Sequence, residues 1–209
     1  MGRGFLIALE GVDGAGKTTQ ARGLAAILAR FGRRVLLTQE PTNGPAGRRL
    51  RDYLVGEQRH LTPVEELALF QEDRREHVEK TIRPALKQGW VVITDRYYYS
   101  SAAYQGALGL DPAKILAESE AFAPRPDLVV ILTLPPTLAL TRCLEVRGGE
   151  AQVSEVPAYL KKVAAIYDKF RGPHLKHLDA SAPESEVLGR LLNLTLDAML
   201  AAGVIHPRE

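Results

Sequence analysis

One short segment limits the possible folds of this chain more than any other part of its sequence. Residues 11–18 read Gly-Val-Asp-Gly-Ala-Gly-Lys-Thr and fit the pattern G-x-x-x-x-G-K-[ST]. An apolar run, Phe5–Leu9, comes just before the segment, and a helical pattern over Lys17–Phe31 overlaps its end. A chance glycine-rich turn would not need this strand–loop–helix setting. The segment therefore predicts a phosphate-binding loop for a nucleotide.

The residues of this loop have separate expected roles. The glycines let backbone N–H groups face a polyphosphate, and Lys17 can bridge the β- and γ-phosphates. The hydroxyl of Thr18 can bind Mg²⁺. The same loop serves GTPases, motor ATPases, ABC-type ATPases and small-molecule kinases, so it does not choose among them. The residues expected to bind ATP are Gly11, Val12, Asp13, Gly14, Ala15, Gly16, Lys17, Thr18 and Thr19.

Hydrophobic patterns along the rest of the chain predict strands that alternate with helices. The apolar runs are mostly continuous, which is typical of parallel strands buried on both faces. Strands are expected at Phe5–Leu9, Val35–Thr38, Trp90–Thr94, Leu128–Leu134 and, more weakly, His177–Asp179. Helices are expected at Lys17–Phe31, from Pro63 to about Gln88, and at Thr137–Arg147, Pro157–Phe170 and Glu184–Ala202. The alternation favours an α/β fold with a five-stranded parallel sheet flanked by helices.

Two segments without regular periodicity are predicted to be loops. Gln39–Gly47 contains two prolines and two glycines, and Arg147–Val156 contains a glycine pair followed by polar residues. Each is either a mobile lid or a plain connection. With 209 residues, the chain is expected to be a single domain over residues 1–209, with a short lid at about 142–156.

Composition excludes several functional classes. Hydrophobic residues make up 45% of the chain and charged residues 25%, as in a globular protein. The net charge of +2 gives no basic field for nucleic acid, and no run of about 18 apolar residues could span a membrane. A lone cysteine, Cys143, cannot form an internal disulfide, and the N-terminus lacks a signal-peptide pattern. A cytoplasmic protein without a nucleic-acid or membrane partner is therefore expected.

A second dense motif follows the third predicted strand. Asp95 and Arg96 stand at the carboxyl end of that strand, where parallel sheets open into a ligand-binding crevice. The fork of Arg96 suits a phosphate group on an acceptor, and Asp95 is placed to hold Mg²⁺ through water. The alternative is that the two side chains only form an internal ion pair. Beside a phosphate loop, the functional interpretation is favoured.

A helical pair is a candidate for binding a flat ring. Phe70 and Arg74 are four residues apart, so they lie on one face of the predicted helix. An aromatic ring can stack on a base while a guanidinium donates to its edge. The alternative, which composition alone favours, is a core phenylalanine and a solvated arginine.

Several motifs, in the correct order, resemble thymidylate kinases, a family of P-loop nucleoside monophosphate kinases. The strongest are Asp-Arg-Tyr-Tyr-Tyr-Ser-Ser-Ala-Ala-Tyr-Gln-Gly at residues 95–106 and Leu-Glu-Gly-Val-Asp-Gly-Ala-Gly-Lys-Thr-Thr at residues 9–19. Gln39–Pro41, Leu69–Arg74 and Pro126–Leu128 also match. The resemblance implies a P-loop NTPase fold and phosphoryl transfer from MgATP to dTMP, which gives dTDP for dTTP synthesis. It also implies a homodimer.

The resemblance assigns roles to single residues. Phe70 would stack on the base, Arg74 would reach a base carbonyl, and Ser101 would contact the base edge. Tyr104 would crowd the 2′ position of the sugar, and Asp13 would reach the acceptor sugar. The implied acceptor-binding set, in which Arg51 lies near the acceptor phosphate, is Glu40, Arg51, Phe70, Arg74, Arg96, Tyr97, Ser101, Tyr104 and Gln105. The expected catalytic residues are Lys17, Arg96, Asp13 and Arg147, and the expected metal-binding residues are Thr18 and Asp95.

The chain departs from the family pattern around the transferred phosphate. Gly14 and Ala15 stand where some relatives carry an arginine in the loop, and the expected lid lacks the family's frequent Asp-Arg pair. Either Arg147 or Arg142 is therefore expected to supply the lid cation, or the lid differs from that of the family.

Two other functions stay open from the sequence. One is a kinase for another nucleoside monophosphate or for a deoxynucleoside, although Arg96 and Arg51 suit an acceptor that already carries phosphate. The other is a non-catalytic ATP-dependent switch, which would need no acceptor site.

Overall fold

A central parallel sheet organises the fold. The computed structural model describes residues 2–55, 60–147 and 157–206, with only the backbone described for residues 145–147. Over these residues the sheet has five parallel strands in the order β2-β3-β1-β4-β5. The strands are β1 Phe5–Glu10, β2 Val35–Gln39, β3 Val91–Asp95, β4 Leu128–Thr133 and β5 Leu175–Asp179. The predicted α/β architecture of a P-loop NTPase is confirmed.

Helices lie between the strands along the chain. α3 begins with a capping box, in which the Thr62 hydroxyl accepts from the Glu65 N–H and the Glu65 carboxylate accepts from the Thr62 N–H. A π-helical turn, Val78–Ile82, joins α3 to α4. The helices are α1 Lys17–Arg30, α2 Pro45–Val55, α3 Pro63–His77, α4 Arg83–Lys87, α5 Tyr98–Ala107, α6 Pro112–Glu120, α7 Pro136–Arg147, α8 Pro157–Tyr167 and α9 Glu184–Ala201.

The register of the central strands places the two dense sequence motifs side by side. β1 pairs with β3 so that Leu9 lies opposite Asp95, and the Arg96 N–H donates to the Leu9 carbonyl at 2.9 Å. Every residue of β1 and β3 is buried. Because parallel strands end at the same edge of a sheet, the loop after β1 meets the segment after β3 on a rigid support.

Burial on both faces is confirmed for the three inner strands and is wrong for the two at the edges. No described residue of β2 is fully buried, with Leu37 and Gln39 exposed and the rest half-buried, and β5 exposes its three residues Lys176, His177 and Asp179. An edge strand has a strand neighbour on one side only, so solvent reaches part of it. The weak hydrophobic signal of His177–Asp179 has this cause.

Two predicted segments have different bounds in the structure. The long helix after Pro63 is interrupted by the π-helical turn, which lies just before Pro84. Proline has no N–H to continue the α-helical ladder, so the hydrogen bonds widen there. The predicted loop Gln39–Gly47 is also shorter than expected. Gln39 still belongs to β2, and Pro45 opens α2, because proline suits a first helical turn.

The hydrophobic pattern gives no signal for α5. Seven of its ten residues are buried, so the helix has no polar face to create a helical period. Strand bounds differ slightly as well: Trp90 precedes β3 and Leu134 follows β4. Over the part of the chain that the structure describes, no helix is long and apolar enough to cross a bilayer.

Candidate active site

The phosphate loop adopts a backbone that only glycine tolerates easily. Gly11, Gly14 and Gly16 have φ values of 134°, 80° and 85°, in the left-handed region. A Cβ at Gly14 would also lie 2.2 Å from the carbonyl oxygen of Ala139 in α7. The loop therefore packs against α7 with no room for a side chain at this position.

A cavity of about 540 Å³ opens above this loop; we call it the phosphate-loop cavity. Arg142 is one of its lining residues, and its Nη1 donates to the Ala180 carbonyl at 3.1 Å. Gly11 and Val12 instead line a separate cavity of about 400 Å³ on another side of the loop. The lining residues of the phosphate-loop cavity are residues 13–20 with Asp95, Arg96, Arg142, Cys143, Ala180, Ala182, Glu184 and Val187.

Lys17 is buried at the floor of this region. Its Nζ donates to the Val12 carbonyl at 2.8 Å. Burial lowers the pKa of Lys17 to about 8, and the positive charge of Arg96 lowers it further while nearby carboxylates oppose the shift. Burial destabilises the charged form of Lys17, and its hydrogen bond goes to a neutral carbonyl. A bound polyphosphate would stabilise the positive charge, so the position suits an anion.

Thr18 and Asp95 meet between the loop and β3. The Thr18 hydroxyl donates to Asp95 Oδ2 at 2.5 Å. A hydroxyl and a carboxylate are hard oxygen ligands that fit Mg²⁺, which usually takes its other ligands from phosphates and water. Among the described residues, no three His, Cys, Asp or Glu side chains are grouped as a protein-only metal site would require. The donor set thus fits a nucleotide-bound magnesium ion.

Arg96 lies between the loop and α5. Its Nη2 donates to Asp13 Oδ1 at 2.5 Å, and its Nη1 donates to the Ser100 hydroxyl at 3.1 Å. The ion pair that the structure gives Arg96 is therefore with Asp13, rather than the internal pair with Asp95 that was the alternative interpretation. Its guanidinium also sits 5.1 Å from the ring centroid of Tyr104.

The backbone of Arg96 is strained. With φ of 71°, it is the one non-glycine residue with a positive φ among those that the structure describes. Such a conformation costs about 1–3 kcal/mol and persists where the surroundings impose it. Here the Thr94 hydroxyl donates to the Arg96 carbonyl at 2.7 Å, and the Arg96 N–H is bound to Leu9. Strain of this kind is typical of functional positions.

A second cavity, of about 180 Å³, lies beside Phe70; we call it the Phe70 cavity. Phe70 is half-buried at its wall, so the interpretation of a core phenylalanine is wrong. Asp13 and Arg96 line both this cavity and the phosphate-loop cavity, so the two cavities meet at this ion pair. The lining residues are Asp13, Pro41, Leu54, Glu66, Phe70, Arg96, Ser100, Ser101, Tyr104, Gln105 and Tyr159.

Arg74 is buried, so the interpretation of a solvated arginine is also wrong. Its Nε donates to Glu40 Oε2 and its Nη2 to the Ser101 hydroxyl, both at 2.9 Å. Burial alone would raise the pKa of Glu40, but Arg74 and His77 outweigh it and hold that pKa below its ordinary value. Arg74 Nη1 is buried and has no hydrogen-bond partner among the described residues.

Other residues of the expected acceptor set lie away from the Phe70 cavity. Glu40 is buried behind it, where it holds Arg74. Tyr97 is a core residue whose hydroxyl donates to the Pro124 carbonyl. Arg51 binds the carbonyls of Pro41 and Thr42 and thus supports the loop before α2.

The expected lid cannot be compared with the structure. Residues 148–156 lie outside the described residues, and so does the side chain of Arg147. Of the two candidate lid arginines, only Arg142 has a described side chain, and it lines the phosphate-loop cavity.

Sequence reasoning missed several residues of the site. Glu66 and Tyr159 line the Phe70 cavity, and Glu10 lies buried beneath its Arg96 side. The Tyr159 hydroxyl donates to the Tyr104 carbonyl at 2.8 Å. Glu10 could have been suspected, because a carboxylate that ends an otherwise apolar strand needs buried partners. Glu66 and Tyr159 carry no such local signal.

Known proteins with similar sequences identify the family of this chain. A family model described as thymidylate kinase matches residues 9–190. The chain belongs to the thymidylate kinase family. A thymidylate kinase of Xanthomonas campestris pv. campestris is 44% identical over 206 residues, which cover 97% of this chain and 89% of that protein.

Two other members of the thymidylate kinase family show similar agreement. The thymidylate kinase of Desulfotalea psychrophila is 45% identical over 177 residues, which cover 85% of this chain and 87% of that protein. The thymidylate kinase of Brachyspira hyodysenteriae is 41% identical over 191 residues, covering 91% and 93%. The resemblance seen in the sequence motifs thus extends over nearly the whole chain.

Proposed function

We propose that this protein is a dTMP kinase, which transfers the γ-phosphoryl group of MgATP to dTMP and yields dTDP and ADP. One observation supports it above the others: the phosphate-loop cavity and the Phe70 cavity meet at Asp13 and Arg96. A kinase needs a donor site and an acceptor site that open onto one point, whereas an ATP-dependent switch needs only the first. Membership in the thymidylate kinase family supports dTMP as the acceptor.

On the donor side, the loop N–H groups and Lys17 hold the β- and γ-phosphates of ATP. Thr18 and Asp95 would hold Mg²⁺, which when bound would neutralise charge on the transferred group. Lys17 is already desolvated and close to Asp13, Asp95 and Arg96. Its charge is therefore fixed in place before reaction, so no reorganisation is needed as negative charge moves.

On the acceptor side, Arg96 binds the phosphate of dTMP through its guanidinium fork. A phosphate oxygen of dTMP attacks the γ-phosphorus, and the bond from that phosphorus to the β,γ-bridging oxygen breaks with its electron pair leaving on ADP. Two phosphorylated substrates repel each other, and the cations Lys17 and Arg96 on either side of the transfer point offset that repulsion.

Two buried polar atoms select the base. One is an acceptor oxygen whose orientation is fixed, and the other is a donor nitrogen that has no hydrogen-bond partner among the described residues. Gln105 Nε2 donates to Glu66 Oε1 at 2.9 Å, and a carboxylate can only accept, so the Gln105 amide cannot turn round. Its Oε1 is left buried without a partner among the described residues, as is Arg74 Nη1. Gln105 lines the Phe70 cavity, and Arg74 is buried behind it, bound to the lining residue Ser101. Thymine offers an N3–H donor beside a carbonyl, which complements this acceptor and this donor.

Cytosine has the opposite pattern at both positions. Its N3 accepts and its exocyclic amine donates, so Gln105 and Arg74 would both stay unpaired in a buried site. Uracil matches thymine except for one methyl group, which is worth about 1–3 kcal/mol or less. Phe70 supplies stacking, worth roughly 1–3 kcal/mol by analogy with other base–aromatic contacts.

A coupled assay of ADP release over a panel of nucleoside monophosphates tests the proposal. The expected order of kcat/KM is dTMP, then dUMP, then dCMP far behind. Equal use of dCMP would contradict the base-selection argument. ADP release that no nucleoside monophosphate stimulates would contradict the kinase itself and favour an ATP-dependent switch.

Four further expectations stay predictions. Three of these are the single domain with a lid at about residues 142–156, the homodimer and the cytoplasmic location. The lid arginine, Arg147 or Arg142, belongs with them. Sedimentation velocity at micromolar concentration would test the homodimer, and a species of monomer mass would contradict it.

A further inference from the structure

A buried carboxylate of the site has no part in the mechanism above. Glu10 is the last residue of β1 and is 0% exposed. Its Oε1 accepts from the Tyr97 N–H at 2.8 Å. Its Oε2 accepts from the hydroxyls of Ser100 at 2.6 Å and Tyr167 at 3.1 Å. Three donors from two separate parts of the chain therefore converge on one carboxylate.

Burial raises the pKa of Glu10 to about 7, while the Ser100 hydrogen bond, the charge of Arg96 and the other hydrogen bonds oppose the rise. Since all three partners donate, the geometry fits the ionised carboxylate. Burying a carboxylate costs free energy through desolvation, and each of these hydrogen bonds offsets part of that cost. Such an arrangement in a family site calls for a role beyond packing.

The hydroxyl of Ser100 connects Glu10 to Arg96. A serine hydroxyl has one proton, and its oxygen lies 2.6 Å from Glu10 Oε2 and 3.0 Å from the Tyr167 hydroxyl oxygen; because the carboxylate is the stronger acceptor and the closer one, the proton is assigned to Glu10. The lone pairs of the same oxygen then face Arg96, whose Nη1 donates to it at 3.1 Å. The carboxylate thus sets the direction of the hydroxyl, and the hydroxyl in turn holds one branch of the guanidinium.

Glu10 also acts on the backbone beside Arg96. The N–H that Glu10 accepts belongs to Tyr97, so it fixes the peptide that directly follows the strained Arg96. Both the side chain and the main chain of Arg96 are therefore tied to the same carboxylate. Asp13 holds the other guanidinium branch from within the phosphate loop.

We propose that Glu10 is a positioning residue that holds Arg96 ready for the acceptor phosphate, through Ser100 on one side and the Tyr97 N–H on the other. The inference rests on the proposed function, because it gives Arg96 the acceptor phosphate. It makes acceptor affinity depend on a group that never touches the nucleotide.

Two variants test the connection, and both are assayed at pH 8, where the Glu10 carboxylate is mostly ionised. In Glu10→Gln the new amide either donates to the Ser100 hydroxyl, which is then no longer oriented by donating to a carboxylate, or opposes the Tyr97 N–H, so one of the two connections to Arg96 is weakened. Ser100→Ala removes the hydroxyl and leaves Glu10 in place. Each is expected to raise the KM for dTMP about tenfold, as loss of one charge-linked hydrogen bond does, and to leave the KM for ATP within about twofold.

Matched variants separate positioning from a general loss of stability. Ser100→Thr keeps the hydroxyl and should restore the dTMP KM to within about threefold of the wild type. Ser119→Ala is the control, since Ser119 is buried in α6 and its hydroxyl has no partner among the described residues. Its kinetic constants should equal those of the wild type. The double variant Glu10→Gln/Ser100→Ala should be less than additive, because both changes break one connection.

Several results would overturn the inference. One is a folded Glu10→Gln and a folded Ser100→Ala that both keep the wild-type KM for dTMP, with only Tm lowered. Equal increases in the constants for ATP and dTMP, or strictly additive effects in the double variant, would also do so. If Glu10→Gln fails to fold, Ser100→Ala and Ser100→Thr decide alone. Failure of the proposed function is distinct, because the wild type itself would then show no dTMP-dependent ADP release.

Discussion

The donor and acceptor sides of the site are built in opposite ways. The phosphate-loop cavity takes half of its lining from one stretch of eight residues, 13–20. The Phe70 cavity takes its lining from the phosphate loop, the loop before α2, the turn between β3 and α5, and helices α2, α3, α5 and α8. Chemistry on the donor side is thus encoded locally, whereas the acceptor side exists only after distant elements have packed.

The difference has consequences for how mutations act. On the donor side Lys17 is bound to the loop itself, whereas Arg96 and Arg142, which line the same cavity, are bound to Asp13 and to the Ala180 carbonyl, so neither is placed to replace it. On the acceptor side, buried hydrogen bonds such as those of Arg74, Glu40 and Ser101 share the task. We expect large effects from single donor-side changes and graded effects across the acceptor side.

The largest expected effect comes from Lys17→Ala. Removing this cation takes away transition-state charge stabilisation, so turnover should fall by about 10²–10³-fold or more. Thermal denaturation should show a folded protein, and the KM for dTMP should change little. Initial rates at saturating dTMP check the result, with Lys17→Met as the variant that keeps the buried stem. Near-normal turnover in both would remove Lys17 from the mechanism.

Arg96→Lys should have the next largest effect and should act on the acceptor side alone. Lysine has the same Cβ penalty at positive φ, so the backbone strain is matched, but a point charge cannot replace the fork. We expect kcat/KM for dTMP to fall about 10–100-fold, as for loss of a charged hydrogen bond. Calorimetry with a non-hydrolysable ATP analogue should show unchanged affinity. Weaker analogue binding with an unchanged dTMP constant would instead assign Arg96 to the donor.

A smaller effect, on selectivity rather than rate, is expected from Glu66→Gln. The new amide can donate, so Gln105 is free to turn its amide round and present Nε2 to the base. The preference for dTMP over dCMP should fall about tenfold, since one mismatched hydrogen bond is relieved. Tyr53→Phe is the control: it removes the 3.1 Å bond to Glu66 Oε2 and leaves Gln105 held. An unchanged dTMP/dCMP ratio in Glu66→Gln would refute the fixed-amide argument.

The smallest effect should follow Ser101→Ala. Arg74 would lose one neutral partner and keep both of its contacts with Glu40. A rise of about threefold in the KM for dTMP is expected, with kcat unchanged, because a neutral hydrogen bond contributes about 0.5–1.5 kcal/mol. A rise as large as that of Arg96→Lys would show that the acceptor side also depends on single contacts.

The same contrast explains what could be predicted from the sequence. The phosphate loop and the inner strands are contiguous patterns, so their positions follow directly from residue order. Ser101 and Tyr104 were found because a resemblance carries them, rather than any local rule. Helical spacing paired Phe70 with Arg74, and the resemblance supplied its role in stacking on a base. The burial of Arg74 could not be foreseen, because it depends on Glu40 and Ser101, which lie 34 and 27 residues away.

Other parts of the site had no usable signal. Glu66 and Tyr159 become cavity walls only when α3 and α8 pack beside α5. The helical period of α5 is hidden because nearly all of it is buried. Glu10 is the exception, because a carboxylate at the end of a buried strand needs buried partners, and this need can be recognised from the sequence alone.

The contact between Gly14 and α7 has an evolutionary consequence. A change from glycine to arginine takes only one base substitution. Here a side chain at Gly14 would lie 2.2 Å from the Ala139 carbonyl and 3.1 Å from Cys143 Sγ. Descendants of this sequence can therefore acquire a loop arginine at that position only after α7 has shifted. A variant that acquired the arginine first would combine this close contact with a non-glycine residue at φ of 80°, so it is expected to be less stable than one in which α7 moves first.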